Sequence, residues 1–158
     1  MKKFELTTEF ITNFLGTKLF RIKALVEFGE VEKGELGGFV EKEENLDHDG
    51  DAWVSGDAEV SGDAMVSGDA RVSGDARVSG NQMYATVKGF GSEYRNTTFF
   101  ITKDGNVCVN CGCFSGTLEQ FREKVEETHK DTKYAKEYLM IADLMEMHFK
   151  EELEKIKK

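Results

Sequence analysis

Apolar and polar residues alternate with a strict six-residue period between residues 51 and 80. The stretch reads DAWVSG DAEVSG DAMVSG DARVSG DARVSG. Ala and Val lie two residues apart in each unit, so both side chains point to one face of a short strand and the residue between them points to the other. The Ser-Gly-Asp that follows is typical of turns. The period predicts short parallel strands stacked in triangular coils of about eighteen residues.

A coil of this length also predicts which residues are neighbours in adjacent coils. The residues between Ala and Val should stack on those about eighteen positions further on. Trp53 is then expected beside Arg71, and Glu59 beside Arg77. Met65 is expected beside Met83 in the same way. These would be a cation–π pair, an ion pair and an apolar pair, each worth about 1 kcal/mol or less at an exposed site.

The flanks of the repeat predict the domain organisation. Residues 1–33 alternate as a β-hairpin, with its turn between Asn13 and Lys18, and are expected to form an N-terminal cap. Residues 34–83 are expected to form the repeat domain, including an irregular first coil. Residues 84–158 are expected to form a C-terminal α+β domain, because strand-like alternation gives way there to helical periodicity.

Within that C-terminal segment, residues 84–116 predict an antiparallel meander with a tight turn at Asp104-Gly105. Helices are predicted over residues 117–129 and 131–157, the first with Thr117 as N-cap and Gln120 completing a capping box. The second helix is apolar over an unusually wide arc, which fits a homo-oligomer interface and simple packing on the meander equally well. A homo-oligomer is among the expected partners.

The repeat unit Val-Ser-Gly-Asp-Ala-Arg resembles the left-handed hexapeptide β-helix family. The resemblance supplies the left hand of the coil. The expected fold class is therefore mainly β with C-terminal helices: a short left-handed parallel β-helix, capped by an N-terminal β-hairpin and followed by a small antiparallel meander and two helices.

Composition narrows the partners. The net charge of −9 and the lack of a basic window argue against nucleic acid. No apolar run approaches the length of a membrane span, and no signal-type core follows the first residues, so we expect a cytoplasmic protein with no membrane partner. The odd number of cysteines, three, does not make a disulfide framework.

Two groups of residues could carry chemistry. Cys108, Cys111 and Cys113, with His129 further on, have a spacing that can bind zinc, but they also suit a strand whose cysteines pack as small apolar residues. We expect no metal and no cofactor. His48 lies between two aspartates that could orient it as a general base, but a solvated turn residue is the simpler interpretation.

Aromatic and basic residues near the end of the repeat suggest a ligand site. Tyr84, Tyr94 and Arg95 follow the repeat. An aromatic face with a guanidinium suits a nucleotide or a sugar, but ordinary strand packing is the simpler interpretation. The outward-facing Trp53, Arg71 and Arg77 of the repeat belong to the same expected set.

The segment KGELGGFVEKEENL at 33–46, running into the repeat, resembles small hexapeptide-repeat proteins of phages and prophages. The segments VNCGCFSGTL at 109–118 and EETH at 126–129 resemble the C-terminal domain that accompanies such repeats in Firmicute phages. The resemblance implies a phage-type origin, with the cytoplasm of a host cell as the location, and by analogy a non-catalytic counter-defence protein that sequesters a nucleotide-like host immune ligand as an oligomer.

Three alternatives remain open at this point. The protein could inhibit a host defence protein by binding it directly. It could be an acyltransferase-like enzyme that uses His48, since hexapeptide β-helices resemble acyltransferases. It could also have a purely structural or assembly role, since the repeat contains no complete catalytic set.

Overall fold

The structure is a computed structural model that describes residues 2–156 and divides into two units after Asn81. Unit 1 ends at Asn81 and unit 2 begins at Gln82. The strands of unit 1 are β1 (Phe4–Thr12), β2 (Lys18–Ala24), β3 (Leu36–Val40), β4 (Trp53–Val54), β5 (Glu59–Val60), β6 (Arg71–Val72) and β7 (Arg77–Val78). Unit 2 contains β8 (Tyr84–Phe90), β9 (Arg95–Ile101), β10 (Val107–Cys111), β11 (Phe114–Thr117), α1 (Leu118–His129) and α2 (Lys133–Ile156).

Unit 1 is built on a five-stranded mixed sheet with the order β1-β2-β3-β5-β7. The predicted hairpin forms β1 and β2, and its turn includes Gly16 in the left-handed region at φ +84°. β2 pairs antiparallel with β3, whereas β3, β5 and β7 are parallel to one another. β4 and β6 form a separate two-stranded parallel sheet.

The expected fold class is wrong, because residues 2–156 form a mixed α/β structure with three separate sheets and two C-terminal helices. Within residues 2–156 the repeat does not make a mainly β protein organised as a β-helix. Its strands are two residues long, and they are divided between two sheets: β4 and β6 pair with each other, whereas β5 and β7 extend the sheet that the N-terminal hairpin begins. The hairpin is therefore two lateral strands of that sheet and not a cap over stacked coils.

The predicted neighbours within the repeat are confirmed for two of the three pairs. Trp53 pairs with Arg71 in the β4–β6 ladder, and Glu59 pairs with Arg77 in the β5–β7 ladder. The third pair, Met65 with Met83, joins residues of the two units and stays a prediction.

The alternation of Ala and Val in the repeat is also confirmed as a burial pattern. The five Ala and five Val side chains are each at most 1% exposed. Trp53 differs from the expectation, because it occupies an outward position and is nevertheless buried. The ring of Phe28 packs edge-on against its indole at 5.3 Å between centroids, which explains this burial.

Unit 2 is a four-stranded antiparallel sheet, in the order β11-β10-β9-β8, together with α1 and α2. The capping box predicted for α1 is present: Thr117 accepts a hydrogen bond from the Gln120 backbone, and the Gln120 side chain accepts one from the Thr117 N–H. The predicted turn between β9 and β10 closes with Gly105 at φ +80°. Phe99, Phe121 and Phe149 are buried in the core of this unit.

The length and hydrophobicity of the helices show whether any of them could cross a membrane. No helix in the part of the chain that the structure describes is long and apolar enough to span a bilayer.

Candidate functional site

Unit 2 contains a cavity of about 390 Å³ that brings together residues far apart in the sequence. We call it the C-terminal pocket. It is lined by Ser92, Glu93, Arg95, Cys111, Cys113, Phe114, Phe121, Lys124, Val125, Thr128, His129 and Tyr138. β9, β10, β11, α1 and α2 all contribute, and the volume falls in the range of small-molecule sites.

Arg95 is the principal charged group of the C-terminal pocket. Its Nη2 donates to Glu93 Oε2 at 2.9 Å, and this bond holds the pKa of Arg95 above its ordinary value. A Cβ on Gly112 would meet the guanidinium, so the Arg95 side chain lies directly against the backbone of Gly112. Glu93 and Arg95 are both exposed, so a ligand anion can compete with Glu93 for the guanidinium.

An aromatic cluster forms the apolar side of the pocket. The ring of Phe121 lies 5.8 Å from Phe114 and 5.5 Å from Tyr138, measured between centroids. His129 lies 5.9 Å from Tyr138. Phe121 and Tyr138 are buried. The half-buried rings of Phe114 and His129 are therefore the ones that a planar ligand can contact, and the imidazole adds a hydrogen-bonding group.

A directional chain of hydrogen bonds runs along the bottom of this site. Thr97 Oγ1 donates to Cys111 Sγ at 3.2 Å, and Tyr138 Oη donates to the Phe90 carbonyl at 3.1 Å. Cys111 Sγ lies 3.8 Å from Tyr138 Oη. Because the hydroxyl proton of Tyr138 is used by Phe90, the thiol is left as the donor to the tyrosine oxygen. The chain fixes the positions of Cys111 and Tyr138.

Tyr138 should titrate late, and its ionisation should weaken the fold. Burial, with the neighbouring Cys111 thiol, raises the pKa of Tyr138 to about 12 from an ordinary value of 10. Because the folded pKa lies above the unfolded one, this contribution to stability is complete below pH 10 and is lost as the pH rises towards 12. We expect a late phenolate absorbance step in the intact protein that Tyr138→Phe removes.

The control for that titration is Tyr134→Phe, on the same helix, which should keep the late step. Circular dichroism at each pH would separate titration of folded protein from alkaline unfolding. Loss of the late step in the Tyr134 variant, or its persistence in the Tyr138 variant, would contradict the assignment.

The structure separates the cysteines that the sequence places together. Cys111 and Cys113 line the C-terminal pocket with His129, whereas Cys108 is not among its lining residues. Cys113 lies in the turn after β10 and is exposed. Among residues 2–156, no group of three or more His, Cys, Asp or Glu side chains is arranged to hold a metal ion. The geometry gives Cys111 a hydrogen-bonding role within the chain from Thr97 to Phe90.

His48 lies in unit 1 and is held by groups other than its neighbouring aspartates. Its Nδ1 accepts the Lys3 backbone N–H at 3.0 Å, and its Nε2 lies 3.1 Å from Glu43 Oε1. The Phe4 ring stacks on the imidazole at 4.4 Å. Because Nδ1 accepts, Nε2 carries the proton and donates to Glu43.

This arrangement determines what His48 can do chemically. Neither ring nitrogen presents a lone pair to a substrate, so the imidazole is not set up as a general base. The Lys2 ammonium, 3.2 Å from the same carboxylate, is the main reason that the pKa of Glu43 is lowered, and His48 acts in the same direction. His48 thus joins the start of β1 to the short 3₁₀ helix Glu43–Asn45.

The six expected ligand residues are divided between the two units. In unit 1, Trp53 is buried, Arg71 forms an ion pair with Glu30 at 3.4 Å, and the Arg77 guanidinium lies over Phe14 at 5.1 Å. In unit 2, Tyr84 is half-buried on β8 and Tyr94 is 64% exposed. Of the six, Arg95 is the residue that lines the C-terminal pocket.

The sequence does not predict several residues of the pocket as ligand-binding residues. Phe121 and Tyr138 follow the apolar periodicity of their helices and therefore predict only core packing. Lys124 and Thr128 occur at polar positions of α1 and carry no motif. The available signal was the spacing of Lys124 and Thr128, four residues apart, which places both on one face of the helix.

Comparisons with known proteins add no relative on which to base an assignment. A scan against protein-family models finds no match, and a search of curated proteins finds none either.

Proposed function

We propose that this protein is a non-catalytic binding protein whose C-terminal pocket holds a small nucleotide-like anion. The observation that carries the proposal is the joint placement of Arg95, Lys124 and His129 around an aromatic wall in one cavity of about 390 Å³. The guanidinium and the ammonium suit a phosphate, and the rings suit a planar base. Trp53, Arg71 and Arg77 are not part of the proposed site.

The absence of an activated nucleophile in this arrangement favours binding over turnover. Cys111 is already engaged by Thr97 and lies beside Tyr138, so its thiol serves the hydrogen-bond chain. His48 has both ring nitrogens occupied in unit 1. The resemblance to phage and prophage proteins adds a biological setting, in which the ligand is a nucleotide-like signal of host defence and the protein sequesters it.

Titration calorimetry with AMP, adenosine and inorganic phosphate tests this proposal. AMP should bind more tightly than either part alone, because it engages both the cationic and the aromatic side of the pocket. Arg95→Ala should weaken AMP binding by about 10- to 100-fold, the loss expected for a charge-assisted hydrogen bond. Arg71→Ala is the matched control, since it removes an exposed, ion-paired arginine from unit 1 and should leave the affinity unchanged.

The nucleotide recovered after binding separates sequestration from catalysis. Chromatography should return AMP unaltered after long incubation with a stoichiometric amount of protein. Conversion of the nucleotide would contradict a non-catalytic role. Equal affinities in the native protein and in Arg95→Ala would show that the C-terminal pocket is not the binding site.

A further inference from the structure

We infer that the exposed face of α2 docks against the same face of a second copy of this chain, with the two helices antiparallel. Met140, Leu144 and Met147 are 72%, 50% and 68% exposed, and their spacing places them in one stripe along the helix. Tyr138, Ile141, Met145 and Phe149 are buried on the opposite side. The stripe is therefore additional to the face that packs within unit 2.

The charges that flank this stripe indicate an antiparallel copy as the occupant. Lys133 and Lys136 precede the stripe, and Glu151 and Glu154 follow it. When Met140 of one helix lies opposite Met147 of its partner, Lys136 falls opposite Glu151 and Lys133 falls opposite Glu154. The same register brings the two Leu144 side chains together at the centre. A parallel alignment would instead place each charge beside its own kind.

The helix dipole supports the same arrangement. The first turn of α2 contains Lys133 and no acidic residue, although a helix N-terminus favours negative charge. At the C-terminal end, where positive charge is favoured, Lys155 suits the dipole, whereas Glu151 and Glu154 oppose it. An antiparallel partner corrects both mismatches, because its C-terminal end lies beside the lysines and its N-terminal end lies beside the glutamates.

Sedimentation equilibrium of the full chain tests the docking. The native protein should be a dimer, and Met140→Glu should raise the dimer dissociation constant at least about a hundredfold, since it places a charge within the apolar stripe. Glu123→Lys is the control, because it changes an exposed charge of α1 outside both the stripe and the C-terminal pocket. A monomeric native protein at about 0.1 mM would overturn the inference.

Charge exchange tests the antiparallel register. Lys136→Glu and Glu151→Lys should each weaken the dimer about tenfold, because each substitution makes two symmetry-related ion pairs repulsive. The double variant should regain most of the native affinity, since the pairs are restored with exchanged signs. Circular dichroism would verify that each variant is folded. Additive weakening in the double variant would exclude this register.

Discussion

Gly62→Ala should destabilise unit 1 by about 3 kcal/mol, whereas Gly74→Ala should cost about 1 kcal/mol. Both glycines occupy the left-handed region, at φ +60° and +63°, so both substitutions carry the same backbone penalty. A Cβ at Gly62 would also lie 2.6 Å from the Ser79 carbonyl oxygen, whereas at Gly74 nothing lies within 4 Å. The additional loss of stability at Gly62 arises because the new methyl group must push the Ser79 backbone away.

Trp53 provides the measurement for both variants. It is the single tryptophan of the chain, is 5% exposed and lies in the same unit as both glycines. Its fluorescence during denaturant unfolding would give the free energy of unfolding and the slope m. An unchanged slope shows that the difference is one of stability. Equal losses in the two variants would mean that the close approach of Gly62 to Ser79 is not a constraint on the fold.

This pair of glycines illustrates how far the repeat predicts the structure. The six-residue period correctly places residue 71 beside residue 53 and residue 77 beside residue 59, because the paired residues are separated by three hexapeptides, or eighteen positions. It also correctly predicts buried Ala and Val. The period cannot distinguish Gly62 from Gly74, since both glycines stand in the same Val-Ser-Gly-Asp-Ala sequence. They differ in whether another backbone segment lies within contact distance of the glycine.

The wrong fold class has a related cause. A periodic pattern reports which residues of the repeat are equivalent, but not what pairs with the outer edge of its sheet. In this chain β2 pairs with β3 there, and the repeat strands β5 and β7 become part of a five-stranded mixed sheet. The burial of Trp53 has the same origin, because Phe28 comes from the segment between β2 and β3.

The C-terminal pocket was predictable only in part. Arg95 was expected as a ligand residue from its aromatic neighbours in the sequence. Its proximity to Cys113 and its influence on the pKa of Tyr138 depend on how the sheet and helices of unit 2 pack, and no local pattern encodes such contacts. Likewise, His48 was expected to interact with Asp47 and Asp49. Asp47 instead accepts the Asp49 backbone N–H at 3.0 Å, which closes the turn.

Asn45→Asp should be among the most destabilising isosteric substitutions in unit 1, with a cost of about 3 to 5 kcal/mol at neutral pH. Asn45 is fully buried, and its Oδ1 accepts the Lys42 N–H at 2.9 Å. Its Nδ2 donates to the carbonyls of Gly62 at 3.2 Å and Ala64 at 2.8 Å. Aspartate keeps the shape and the acceptor, but it directs a carboxylate oxygen at two carbonyl oxygens.

The pH dependence of this variant distinguishes a lost donor from lost packing. Burial beside two carbonyls should raise the pKa of the new carboxyl above the unfolded value of about 3.9. The cost is then complete above the folded pKa and shrinks as the pH falls from that value towards the unfolded one, because the protonated acid regains one donor. We therefore expect the difference in unfolding free energy from the native protein to narrow at mildly acidic pH.

Asn13→Asp is the matched control for Asn45→Asp, because Asn13 uses its side-chain oxygen alone, accepting from the Leu15 and Thr17 N–H groups at 3.0 Å each. Aspartate retains both of these bonds, so the change in stability should stay within about 0.5 kcal/mol. Trp53 fluorescence serves both variants. Two results would contradict this role of Asn45: equal losses of stability in the two variants, or a loss at position 45 that does not become smaller as the pH is lowered. Either would show that the bonds donated to Gly62 and Ala64 do not hold the repeat to the segment that contains Asn45. If the expected contrast is found, a side-chain amide, and not only the backbone ladders, fixes the repeat to the segment before it.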